Sequence, residues 1–197
     1  MISNYVTKAL VDADRISVTG ASNGAMMTMR LLCESAIRFK LAVPVIGSLP
    51  KSLESTCRIR VPAGVYLVGG DQDPLMPFEG GHVKILNRRR GEVLGFPRTA
   101  ALLAAQMHCK APPASQIWPD RVAGDETSIE ELEWRDCEMG GHVHLLRIVG
   151  GGHRWPSSER PSRRPKLTSW ALGKQSEEID LSAAIVRWMK NTSVSQL

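Results

Sequence analysis

Three residue types that could act together recur along this chain in the order Ser22, then Asp71 or Asp73, then His153. Ser22 stands in Gly20-Ala21-Ser22-Asn23-Gly24, a G-x-S-x-G pattern that has meaning where a strand precedes it and a helix follows. A tight strand-to-helix bend lifts the serine hydroxyl above the sheet edge. It also aims the first helical N–H groups at the reacting centre, where developing negative charge is stabilised. Such a bend crowds the positions two before and two after the serine, so the pattern predicts that glycine is required at both Gly20 and Gly24. A serine alcohol cannot ionise near neutral pH unaided; it needs a base, which a third group must orient. The chemistry on offer is nucleophilic acyl transfer.

Each residue also has a plainer reading. A serine between glycines could simply form a turn or cap a helix. Asp71 and Asp73 share a Gly- and Pro-rich loop, "YLVGGDQDPLMPFEGG", where aspartates commonly bond their own backbone. His153 follows three glycines in "RIVGGGHRWP" and could be an exposed loop histidine. Against this, the order serine, acid, histidine is the one α/β-hydrolases use. Trp155, beside His153, could merely cover the core but reads as lining a substrate cleft and binding substrate, because the neighbouring glycines leave room there. His142 and His144 share one face of a strand, a spacing that suits metal binding but fits sheet packing better without a third ligand. His82 and His108 have no recognisable partners.

The elements that must position these groups follow from periodicity and punctuation. Helices are expected over Ser3–Asp14, Asn23–Phe39, Phe96–Cys109 and Glu177–Asn191, the last burying Ile179, Ala183, Val186 and Trp188. Buried strands are expected over Arg15–Gly20, Leu41–Ser48 and Val61–Gly70. Two more, Ser128–Cys137 and His142–Gly150, are joined by the turn "EMGG". Between Gly70 and Phe96 the sequence reads as a long connection of loop and short-helix character. Alternating strands and helices predict a single α/β domain over residues 1–197 with a mostly parallel sheet flanked by helices.

At 197 residues and 43% hydrophobic, the chain can bury one substantial core. No apolar run is long enough to span a bilayer, and the N-terminal residues lack a secretory-signal layout, so no membrane partner is expected. The net charge of +5 reflects arginines bunched in "NRRRGE" and "SERPSRRPK". Both clusters read as solvated loops, and no nucleic-acid-binding signature accompanies them, so nucleic acid is not an expected partner. Cys33, Cys57, Cys109 and Cys137 show no Cys-x-x-Cys spacing and leave disulfides and free thiols equally open.

Four blocks in order, "VDADRISVTGASNGAMMTMRLLCE", "LAVPVIGSLP", "GDQDPLMPFEGG" and "GGGHRWP", resemble the polyhydroxybutyrate depolymerase family of esterases. These are similar to feruloyl and acetylxylan esterases and have an α/β-hydrolase fold. The resemblance implies Ser22 as nucleophile, His153 as base and Asp73, preceding the Pro-Leu-x-Pro segment, as the orienting acid. It implies an oxyanion-hole N–H from Asn23, no cofactor, an ester substrate and bridges Cys109–Cys137 and Cys33–Cys57. Family members are usually exported, which implies an extracellular or periplasmic location. The family fold begins with strands and a His-Gly loop that would lie before Met1. Without them the strand around Val18 is expected to expose an edge through which two copies could pair. The competing function class is a catalytically impaired hydrolase-fold remnant that binds a polymer or protein; peptide hydrolysis fits the local blocks less well.

Overall fold

The computed structural model describes residues 8, 11–61, 63–85, 88–110, 112–159 and 171–191. Its main sheet has six strands: β1 (Ser17–Ala21), β2 (Leu41–Val45), β3 (Gly64–Gly70), β6 (Ala114–Ile117), β7 (Ser128–Trp134) and β8 (His142–Val149). They lie in the order β1-β2-β3-β8-β7-β6, with the first three pairings parallel and the last two antiparallel. Helices α1 (Asn23–Glu34) and α2 (Phe96–Gln106) cover one face, burying Met29, Leu32, Phe96 and Leu103 against Val65, Leu67 and Leu145. Helix α3 (Leu181–Asn191) covers the other, where Leu181 and Ile185 meet Val43, Val68 and Leu146. This is the α/β architecture that the alternation of elements predicts, a mostly parallel sheet between helices.

Several expectations need correction. The segment between Gly70 and Phe96 is no loop-and-helix connection: β4 (Gly80–Ile85) and β5 (Arg88–Leu94) form an antiparallel ribbon. The "NRRRGE" arginines therefore lie on a strand rather than in a solvated loop. β1 is not buried; it is an edge strand with Thr19 and Ala21 exposed. α1 stops at Glu34 because Ser35 turns extended and its hydroxyl accepts the Ile37 N–H at 2.9 Å, an alternative to the next helical bond. α3 starts at Leu181 after Asp180, whose carboxylate accepts the Ala183 N–H at 3.0 Å as a cap does. Its buried face is Leu181, Ala184 and Ile185, so Ala183 and Val186 are exposed, whereas Ile179 is buried as expected. The helix expected over Ser3–Asp14 lies largely outside the described residues; a short 3-10 turn, Ala13–Arg15, closes its range. Most of "SERPSRRPK" also lies outside them.

Both cysteine pairs are bridged, Cys33–Cys57 and Cys109–Cys137. The first ties the end of α1 to the segment before β3, and the second ties the residues after α2 to the β7–β8 turn. Closing loops of this size stabilises a fold by on the order of 3 kcal/mol per bridge. No described helix is long and apolar enough to cross a membrane.

Candidate functional site

Parallel strands β1, β2, β3 and β8 end together, and the site is assembled where they end. After β1 the backbone turns sharply at Ser22, which has φ 55° and ψ −113°, and α1 begins at the next residue. A side-chain-bearing residue held at positive φ costs about 1–3 kcal/mol and persists only where its surroundings enforce it. Here the Ser22 N–H donates to the Val45 carbonyl at 2.9 Å, while the Ser22 carbonyl accepts the Met26 N–H at 3.1 Å. A Cβ on Gly20 would sit 2.4 Å from the Gly24 carbonyl oxygen, so glycine is required there. At Gly24 the expectation fails: a Cβ would meet nothing within 4 Å. The second required glycine is Gly47, whose Cβ would come within 2.5 Å of the Ser22 carbonyl oxygen. Its only signal in the sequence is a glycine just past the strand "LAVPV".

The loops after β3 and β8 are laced together. Asp71 N–H donates to the Ile148 carbonyl at 3.1 Å and Gln72 N–H to the Gly151 carbonyl at 2.9 Å. Asp71 itself is a clamp: its carboxylate accepts Arg147 Nη2 at 2.7 Å, Arg147 Nε at 3.1 Å and the Gly150 N–H at 2.8 Å. This lacing brings Asp73 to His153. Asp73 Oδ1 accepts the N–H groups of Leu75 and Met76, both at 2.8 Å, which fixes the carboxylate. Its Oδ2 lies 2.7 Å from His153 Nδ1, and His153 Nε2 lies 2.9 Å from Ser22 Oγ.

The geometry thus separates two aspartates between which the residues alone do not choose. Only Asp73 meets the histidine. Its side chain is 1% exposed and that of His153 is 10% exposed, so both are shielded from bulk water. An ionised carboxylate can only accept, which puts the imidazole proton on Nδ1 and leaves Nε2 free to accept from the serine hydroxyl. A hydroxyl, a base with a free lone pair and a carboxylate in line can carry out nucleophilic acyl transfer. Asn23 is the first residue of α1, so its backbone N–H belongs to the helical turn that faces the bend.

The other residues that the sequence singles out sit elsewhere. Trp155 packs against the core cluster under α3, and its Nε1–H donates to Ser182 Oγ at 3.2 Å, the contacts of the core-covering alternative. His144 Nδ1 lies 2.6 Å from Glu131 Oε1, and His142 meets His144 edge to face, so this pair serves sheet packing. His82 does have a partner, Glu92 at 3.1 Å.

No family model matches the chain. Over 168 residues it is 29% identical to a protein of Nocardia uniformis subsp. tsuyamanensis named "Putative esterase NocK". The alignment takes in 83% of this chain and 48% of that protein, so the chain spans about half the length of the curated relative it matches. In three dimensions it is similar to the acetyl xylan esterase from Aspergillus awamori, with a TM-score of 0.50 and 16% identity over 78% of this chain and 59% of the other. The second likeness establishes the α/β fold, and the first establishes homology to a protein named as an esterase.

Proposed function

We propose that the chain is a serine carboxylester hydrolase of the kind its resemblance to polyhydroxybutyrate depolymerases implies, with residues 1–197 acting as one α/β unit. The observation that carries this reading is the unbroken line from Ser22 Oγ through His153 to Asp73, set on a strained Ser22 backbone. Ser22 attacks the ester carbonyl as His153 Nε2 takes the hydroxyl proton. The tetrahedral oxyanion is stabilised by the Asn23 N–H, and His153 then gives its proton to the departing alcohol. Water, deprotonated in turn by His153, hydrolyses the acyl-enzyme. Throughout, Asp73 holds the imidazole in the tautomer that leaves Nε2 free. Short acyl, acetyl, feruloyl and hydroxybutyrate esters all suit this machinery, because selectivity resides in the walls around it. Two disulfides suit an oxidising compartment and support an extracellular or periplasmic location.

A second reading draws on the edge of β1, where backbone groups left unpaired among the described residues could receive a strand from another copy and make the chain an interaction module. Covalent labelling separates the two. A fluorophosphonate should modify Ser22 of the folded protein, and Ser22→Ala should abolish both labelling and p-nitrophenyl acetate hydrolysis. Undiminished hydrolysis by Ser22→Ala ends the esterase reading; a folded wild-type protein that takes no label favours the module.

A further inference from the structure

A groove leaves the candidate site along the first turn of α1. It begins as a cavity of about 190 Å³ at Asn23, walled by Met26, Met27 and Pro50. A second cavity, of about 470 Å³, shares Met26, Pro50 and Ser52 with the first and runs on to Val83, Arg90 and Glu92 of the β4–β5 ribbon. The first cavity meets the candidate site at Asn23, the residue after Ser22, and the shared walls join the two cavities into one path along α1. Met26, Met27, Pro50 and Val83 give this path apolar walls, and Met27 is 54% exposed, so apolar surface lies open along it.

Charge along the path is unevenly balanced. Arg30, near the start, is paired with Glu34 at 2.8 Å, and Lys51 is paired with Glu92 at 2.9 Å. On the ribbon, by contrast, Lys84, Arg88, Arg89 and Arg90 make no ion pair among the described residues, and the three arginines are exposed. The strand register sets Lys84 opposite Arg89, a like-charge pairing that costs stability. A solvated surface explains isolated cations. It does not explain four of one sign crowded together with one of them, Arg90, in the wall of the larger cavity.

We infer that this groove holds the non-reacting part of the ester and that Arg90, at its far end, selects esters whose distal end carries a carboxylate. The inference rests on the ester-hydrolase reading above. An apolar wall followed by an unpaired cation complements a methylene spacer ending in an anion. A guanidinium binds a carboxylate through two parallel N–H bonds, with the neighbouring cations adding to its field.

The test compares p-nitrophenyl half-esters of linear diacids of increasing length with the matching ω-amides, which have the same shape and no charge. The acid-to-amide ratio in kcat/KM should be near one for the shortest spacer. It should rise to about tenfold once the spacer reaches the ribbon, and shrink again as salt is added. Arg90→Gln should return the ratio to one, Arg90→Glu should invert it and Arg90→Lys should keep part of it. Arg187→Gln, an exposed cation on α3, should leave it as in wild type. A ratio of one at every length in an enzyme that hydrolyses p-nitrophenyl acetate overturns the inference and leaves the esterase reading standing. If no ester is hydrolysed, that reading falls, and calorimetry of Ser22→Ala with a long diacid monomethyl ester against its ω-amide still decides. Equal affinities there overturn the groove assignment.

Discussion

His153 and His144 each hold a carboxylate through Nδ1, at 2.7 Å from Asp73 and 2.6 Å from Glu131, yet the two pairs stand in different settings. His153 lies where parallel strands end, with Nε2 aimed at a hydroxyl on a strained bend. His144 lies within regular strand β8, its ring stacked on Tyr66 at 4.1 Å, and Tyr66 stacks in turn on Trp188 of α3 at 3.9 Å. Its Nε2 lies 3.6 Å from a second carboxylate, Glu133. Glu131 is already committed to three donors: His144, Trp118 Nε1 at 2.7 Å and Gln116 Nε2. A histidine–carboxylate pair therefore does not define a site. What differs is the third group and whether the backbone is bent to present it.

The comparison breaks most sharply under parallel amide substitutions. Asp73→Asn should reduce kcat/KM for p-nitrophenyl acetate by about 10⁴-fold with little change in stability, because the wrong imidazole tautomer is then favoured. Glu131→Gln should leave kcat/KM per folded molecule within about twofold. It removes the charge that three donors converge on, at a cost of about 3 kcal/mol in chemical denaturation. A comparable loss of activity in Glu131→Gln would mean that the two pairs are functionally joined and that the distinction fails.

Acid should next weaken the packing around the β8 histidine His142 and Glu131. Burial, helped by the neighbouring His144 and opposed by smaller contributions from the Gly140 backbone and Glu133, brings the His142 imidazole down from 6.5 to about 4. Between these values the unfolded chain takes up a proton that the folded chain refuses, so stability is full above pH 6.5 and declines as pH falls towards 4. The loss is about 3 kcal/mol at most. Glu131 acts in the same direction. Burial alone would raise its pKa, but bonds from His144, Trp118 and Gln116 outweigh this and hold it below the usual range, so its contribution too is lost as acid protonates it. At the alkaline end burial pushes Tyr66 up to about 12, and stability should fall as pH rises from 10 towards that value. Denaturation midpoints measured from about pH 8 to about pH 4 should show the acid decline, and His142→Gln should flatten it. A decline unchanged in that variant would place the sensitivity elsewhere.

Where side-chain pattern and backbone agree, the sequence is legible: β2 and β3 are apolar runs buried on both faces, β8 is a mostly buried strand whose apolar run is interrupted by His142, His144 and Arg147, and each matches its expected range to within a few residues. The ribbon is not. Its strands carry Lys84 and Arg88 to Arg90 where apolar alternation would signal a strand, and the positive-φ glycines Gly80, Gly81 and Gly91 read as loop punctuation. β6 has four exposed residues at the sheet's outer edge and so leaves no burial pattern at all. The order of Ser22, Asp73 and His153 is legible because three local motifs each sit at a strand end. The Asp71 clamp on Arg147 and the approach of Gly47 to Ser22 are not, since both depend on loops from different strands meeting. Asp180 caps α3 three residues after Glu177, and the face that packs on the sheet is Leu181, Ala184 and Ile185 rather than the expected Ala183 and Val186.

The smallest predicted effects test the bend itself, the feature that His144's strand lacks. Gly20→Ala would place a methyl carbon 2.4 Å from the Gly24 carbonyl oxygen and 2.5 Å from its carbon, both backbone atoms that cannot rotate away. The bend must then open, at a cost of about 1–3 kcal/mol for overpacking, and Ser22 Oγ should lose its alignment with His153. Gly24→Ala meets open space and lies in the first turn of α1, where alanine is the better helix former. It should stabilise by up to about 1 kcal/mol and leave hydrolysis close to wild type. Paired thermal melts and kinetics on the two variants measure this asymmetry. If both lose activity alike, the crowding is symmetric about the serine, as the G-x-S-x-G pattern alone predicts, and the backbone path drawn from Gly20 through Ser22 to α1 is wrong.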